Sequence, residues 1–205
     1  MTRRPDLALR REELMETIRQ AAIEEFAENG LRGASTQAIA RRAGISKTKL
    51  HYYIASKEEL YQEALAHIIG IWAELFNEAA EEEDPQSFLR RYIARKIRYS
   101  LAHPEVAQMF TNEVMRGAPM MRQYWETSRD ATQKAAERIR NWVSQGLIRP
   151  VDPLLLQFNL WALTQHYALH LAEVRFMLGV DEETPLDAEH IIDEVTTLVL
   201  HGLRP

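Results

Sequence analysis

Cysteine is absent from the 205 residues, so neither a disulfide framework nor a thiolate-held metal is available to this chain. Long apolar runs are missing too: the greasiest stretch, Leu154 to Leu171, is interrupted by Gln157, Asn159, Gln165 and His166 and does not read as a membrane span. The opening MTRRPDLALRREEL lacks the apolar core of a secretory signal, and a cytoplasmic protein is expected. No segment alternates with period two, and neither a repeat nor a low-complexity tract occurs, which leaves little room for strands or a solenoid. A Gly-rich phosphate loop, a nucleophile elbow and a zinc-protease His-Glu motif are all lacking, so an enzyme is not expected and no cofactor is implied.

What is present is an ordinary globular composition, 46% apolar and 27% charged, enough for a packed core. The net charge of −5 argues against nucleic acid only if charge is evenly spread, and it is not. Between Arg32 and Lys57 the charged residues are Arg32, Arg41, Arg42, Lys47, Lys49 and Lys57, with no Asp or Glu among them. A basic window inside an acidic chain is what a confined DNA-contacting surface requires. A helical interaction module without DNA binding would account for helices but not for that window.

Apolar residues Leu14, Ile18, Ala21, Ala22, Phe26 and Ala27 fall three to four apart and predict a helix over 11–29, with Gly30 as its C-cap. A short helix follows over 36–42, stopped by Gly44, and Ser46 caps another over 47–53. Two short helices joined by Ala43-Gly44-Ile45 have helix-turn-helix spacing, since Gly44 can take the positive φ of a tight turn. Ser56 with Glu59 forms a capping-box pattern opening a long fourth helix to about Glu82, and the acidic run 81–84 reads as a solvated helix end and linker. Prolines at 85, 104, 119 and 153 mark first turns, predicting helices over about 86–102, 104–116, 119–146 and 153–178, with a last one over about 187–202. The fold class is therefore all-α, about nine helices: a DNA-binding head over 1–57 and a larger helical domain over 58–205.

The run Thr36-Gln37-Ala38-Ile39-Ala40, Ala43-Gly44-Ile45-Ser46-Lys47-Thr48-Lys49-Leu50-His51-Tyr52-Tyr53 and Ser56-Lys57-Glu58-Glu59-Leu60 closely resembles the TetR family of bacterial repressors. His51 stands where the family often has an aromatic and Ile54 where it usually has Phe, so an apolar anchor remains. The resemblance implies that Lys47, Thr48 and Lys49 meet base edges in the major groove, while Thr36, Ser46, Tyr52 and Lys57 contact phosphates. It implies a homodimer on a palindromic operator of double-stranded DNA, and a repressor.

The 153–178 helix is apolar nearly all round and the last adds Ile191, Ile192, Val195, Leu198, Val199 and Leu203, so these two helices are expected to form the dimer interface. The body resembles a narrower group, the RutR-like pyrimidine-utilisation regulators with a YcdC-like C-terminal domain. That likeness lies at Ile71-Trp72, Glu113, Arg116-Gly117-Ala118-Pro119, Trp161, Thr164 to Ala168, and Gly202-Leu203-Arg204-Pro205. It implies a small-molecule effector such as uracil or thymine. Such a ring needs flat apolar walls and convergent hydrogen-bond groups: Trp72, Phe110 and Trp161 as walls, Gln165 paired to a carbonyl and an N–H, Glu113 and Tyr167 as further polar partners. Plain core is the competing role for each aromatic. His166 and His170, four apart, share a helix face but have no evident third ligand, and no metal is assigned.

Overall fold

The computed structural model describes residues 4–77 and 84–205. Among them are ten α-helices and no strand, the all-α fold expected. In order they are α1 (Arg4–Gly33), α2 (Thr36–Arg42), α3 (Lys47–Tyr53), α4 (Lys57–Asn77), α5 (Pro85–Ala102), α6 (Pro104–Met115), α7 (Trp125–Ser144), α8 (Pro153–Leu169), α9 (Leu171–Leu178) and α10 (Ala188–Gly202), with one 3-10 turn at Arg122–Tyr124. None of these is long and apolar enough to cross a membrane.

Local chemistry sets most of the starts. The Ser46 hydroxyl accepts from the Lys49 amide at 3.1 Å, Ser56 from Glu59 at 3.0 Å, Asp84 from Ser87 at 2.8 Å, and Asp152 from Leu154 at 2.8 Å. Pro85, Pro104 and Pro153 open their helices, where a missing amide hydrogen costs nothing. The predicted reach of α4 to Glu82 and the acidic residues 81–83 lie outside the described residues.

Three boundaries differ from expectation. At Gly30 the backbone leaves helical geometry (φ 63°, ψ 174°), forming a kink rather than a left-handed C-cap, and a further turn carries α1 on to Gly33. Pro119 opens no helix: Gly117 and Ala118 both take positive φ and the chain turns there, so α7 starts only at Trp125. The predicted 153–178 helix is two helices, interrupted at His170 (φ −114°, ψ 34°).

The chain forms two compact units, Met1–Ile68 with Gln108–Arg122, and Ile69–Ala107 with Gln123–Pro205. The division falls inside α4 and α6, each of which contributes residues to both units. In the first unit Ile18, Ala22, Phe26, Ile39, Ala40, Leu50, Leu60, Tyr61 and Leu65 are buried. In the second the core runs through Phe88, Leu89, Tyr92, Ile93 and Ile97 of α5, Ile139 and Trp142 of α7, Leu160 of α8, and Ile191, Ile192, Val195 and Val199 of α10.

Candidate functional site

In the first unit, α3 buries little besides Leu50, which is wholly enclosed and with buried Ile54 anchors the helix. Lys47, Thr48, Lys49 and His51 are exposed, and Tyr52 is 81% exposed, its ring meeting Tyr53 edge-on. A tyrosine that far out of the core has no packing role and a polar tip free to bond. Ser46 is exposed but its oxygen is already the cap of α3; Thr36, half-buried, is the first residue of α2, whose cap is Ser35.

Two members of the basic window have partners that the sequence did not reveal. Arg42 faces three glutamates of α1: its Nε donates to Glu25 at 3.2 Å, and it pairs also with Glu24 and Glu28. Hydrogen bonding to Glu28, then to Glu25, holds its pKa above the usual arginine value. Glu25 itself is buried and also accepts from the Ser35 amide at 3.3 Å, so this cluster ties the start of α2 to α1. Lys57 Nζ donates to the Ala34 carbonyl at 2.9 Å, fastening the start of α4 to the segment before α2. Of the remaining cations of the window, Lys47 and Lys49 are exposed on α3, Arg41 on α2 and Arg32 in the last turn of α1.

Glu113, expected to meet an effector, is buried in this unit with both oxygens engaged: Tyr61 donates to one at 3.0 Å and the Met120 amide to the other at 2.7 Å. The turn at Gly117-Ala118 wraps that carboxylate, which is why Pro119 begins no helix. Burial, and then the charge of Glu113, push the Tyr61 phenol well above its ordinary range, so it stays a donor. Phe26 packs edge-on against Tyr61 at 4.9 Å, and Asn112 donates to the Ala27 carbonyl at 3.2 Å. Phe110, half-buried, lies on the same helix.

In the second unit Trp72 meets Tyr99 edge-on at 5.7 Å and carries the ammonium of Lys96 over its face, 3.4 Å from the ring centroid. Its indole N–H is buried without an acceptor, as is the hydroxyl of Ser100. Lys96 is 3% exposed, and desolvation pulls its pKa down to about 7. The sequence reading passed over Lys96 and Ser100, yet a signal existed: they fall within the apolar stripe Leu89, Tyr92, Ile93, Ile97 of α5.

Trp161 has other company, a hydrogen bond with buried Tyr92 and the ring of Phe158 at 5.2 Å. Gln165 and Tyr167 are half-buried, Tyr167 packed against the core. The rings of His166 and His170 stack at 4.5 Å, and among the described residues no group of three or more possible metal ligands occurs.

Comparison with known proteins places these features. The model described as "Bacterial regulatory proteins, tetR family" matches residues 18–64, and "YcdC-like protein, C-terminal region" matches 65–205. The chain is 32% identical over 191 residues to the HTH-type transcriptional regulator RutR of Escherichia coli K12, covering 92% of this chain and 89% of RutR. It is 22% identical over 188 residues to the HTH-type regulator YhgD of Bacillus subtilis, covering 91% and 94%. Among solved structures, the ketosteroid transcriptional regulator KstR2 of Mycobacterium tuberculosis matches with a TM-score of 0.73 at 22% identity, covering 96% of this chain and 95% of KstR2. The regulator PfmR of Thermus thermophilus matches at 0.70 and 24%, covering 92% and 96%.

Proposed function

The chain belongs to the TetR family of transcriptional regulators, and from that premise we propose that it represses by binding a palindromic operator as a homodimer and leaves it on binding a small planar effector. The observation that carries the DNA-binding part is the outer surface of α3, where Lys47, Thr48, Lys49 and Tyr52 stand exposed around one buried anchor, Leu50. Lys47, Thr48 and Lys49 read base edges; Thr36, Ser46, Tyr52 and Lys57 hold phosphates.

One head reads too few base pairs for useful specificity, which favours a two-fold dimer. The second unit offers a surface for it: Leu155, Phe158, Phe176, Met177 and Leu198 are large apolar residues exposed on α8, α9 and α10. The resemblance to RutR-like regulators favours uracil or thymine as effector, with Trp72, Trp161, Gln165 and Tyr167 in contact. Phe110 and Glu113 were grouped with these; since both Glu113 oxygens already accept hydrogen bonds, its part is to hold Tyr61 and the turn at 117–118.

Release is a population shift: the effector binds the DNA-incompetent arrangement more tightly, commonly by about 1–3 kcal/mol. Fluorescence anisotropy on promoter and scrambled duplexes, with and without uracil, tests this reading. Equal affinity for both duplexes removes the regulator reading; uracil binding without loss of operator affinity removes the release mechanism.

A further inference from the structure

We propose that the second unit contains an anion-recognition site formed by Lys96, Ser100 and the indole N–H of Trp72, and that the effector is a small aromatic or heteroaromatic ring bearing a carboxylate. The inference rests on the planar-effector reading above but replaces uracil and thymine, which bear no carboxylate, with an acid of similar shape.

Lys96 sits in the buried stripe of α5, 3% exposed, and desolvation acts on its ammonium with no neighbouring charge or hydrogen bond to offset it. Its neighbour is the Trp72 face at 3.4 Å, and a cation–π contact returns only part of the lost hydration. One helical turn on, where i and i+4 side chains are neighbours, the Ser100 hydroxyl is also buried and unbonded. The Trp72 N–H is a second buried donor without an acceptor. Buried polar groups are nearly always paired, so two orphaned donors beside a buried ammonium describe the outline of something that pairs them.

The outline has a sign. Every uncommitted group can donate, and their net charge is positive when Lys96 is protonated. A neutral pyrimidine ring brings as many N–H donors as carbonyl acceptors and cannot compensate a charge; an enclosed water satisfies hydrogen bonds but not the charge either. A carboxylate supplies several acceptor lone pairs and the opposite charge. Lysine suits such a site because it can shed its proton when the site is empty, which an arginine cannot. The pull of burial on its pKa, down to about 7, agrees with this.

Calorimetric titration of the full chain with matched pairs decides it: uracil-6-carboxylate against uracil, and benzoate against benzamide. The expected result is that at least one carboxylate binds roughly 10- to 100-fold tighter than its neutral partner, as one or two charge-assisted bonds allow. Lys96→Met abolishes that preference, Ser100→Ala weakens it several-fold, and Lys96→Met raises the Tm of the unliganded protein. Neutral partners binding as tightly as the carboxylates, or a preference that survives Lys96→Met, overturns the anion site but leaves the planar-effector reading standing. Binding by none of the four overturns both. A lower Tm for Lys96→Met shows a structural lysine and also counts against the site.

Discussion

The two compact units treat their buried polar groups in opposite ways. In the DNA-binding unit, buried Glu25 receives the Ser35 amide and Arg42, and buried Glu113 receives Tyr61 and the Met120 amide. In the other unit Gln157 and Thr164 are bonded, but the Trp72 indole, the Ser100 and Thr196 hydroxyls and one Arg138 nitrogen are buried with no partner. Among the described residues every such orphan lies in that second unit. A surface that must fit DNA in one register gains from groups already fixed in place, whereas the proposed effector site needs bonding capacity left open.

The sharpest way to break the contrast is at Glu113. Glu113→Ala strands two donors and leaves a small void, so stability should fall by about 3–5 kcal/mol in urea unfolding. Tyr61→Phe leaves one carboxylate oxygen of Glu113 without its donor while the Met120 amide still holds the other, and should lose a smaller amount, about 1–3 kcal/mol. A loss below about 1 kcal/mol for Glu113→Ala would mean that the fixed-in-place description of the first unit is wrong.

At Lys96 the expected sign reverses. Replacing a lone buried ammonium by methionine of similar volume should raise stability by roughly 1–4 kcal/mol at neutral pH. The pH dependence follows from the lowered pKa: between about 7 and the ordinary 10.5 the unfolded chain holds the proton and the folded one does not. Wild-type stability therefore rises with pH across that window relative to Lys96→Met, and the full penalty is present below it. Unfolding at pH 7 and pH 9.5 measures the gap, which should narrow at the higher value.

Much of this arrangement was legible in the sequence where its cause is local. Ser46, Ser56 and Asp152 cap helices with their own side chains, and Pro85, Pro104 and Pro153 open them, so those starts fell where expected. The departures have distant causes. Pro119 sits in a turn held by a carboxylate seven residues back from Met120, and no glycine or proline announces the break at His170. The basic window could be counted but not apportioned, because the glutamates that occupy Arg42 lie on the preceding helix. Glu113 stands out in the sequence as a carboxylate in an apolar helix, but sequence does not say who its partners are. Lys96 and Ser100 carried the same signal within α5.

The second unit also leaves apolar groups open, and there the contrast predicts self-association. Phe176, 81% exposed on α9, should lie in the dimer interface; Phe176→Ser should raise the dimer dissociation constant roughly 30-fold, the effect of losing about 2 kcal/mol at an aromatic anchor. Sedimentation across a concentration series reads this directly. A variant that stays as dimeric as wild type places the interface elsewhere.

The smallest expected effect falls at Lys57, where a committed group and a DNA contact coincide. Its ammonium gives one hydrogen to the Ala34 carbonyl at 2.9 Å and keeps two for a phosphate. Lys57→Met keeps the apolar stem and loses the charge, so operator and non-operator affinity should both fall about five-fold at moderate salt. The slope of log affinity against log salt should flatten by about 0.9, as for one lost phosphate contact. An affinity loss with the slope unchanged would assign Lys57 to holding the Ala34 segment in place, leaving the first unit with one more polar group committed internally. No loss at all would remove Lys57 from the DNA surface and leave the α3 residues to carry binding.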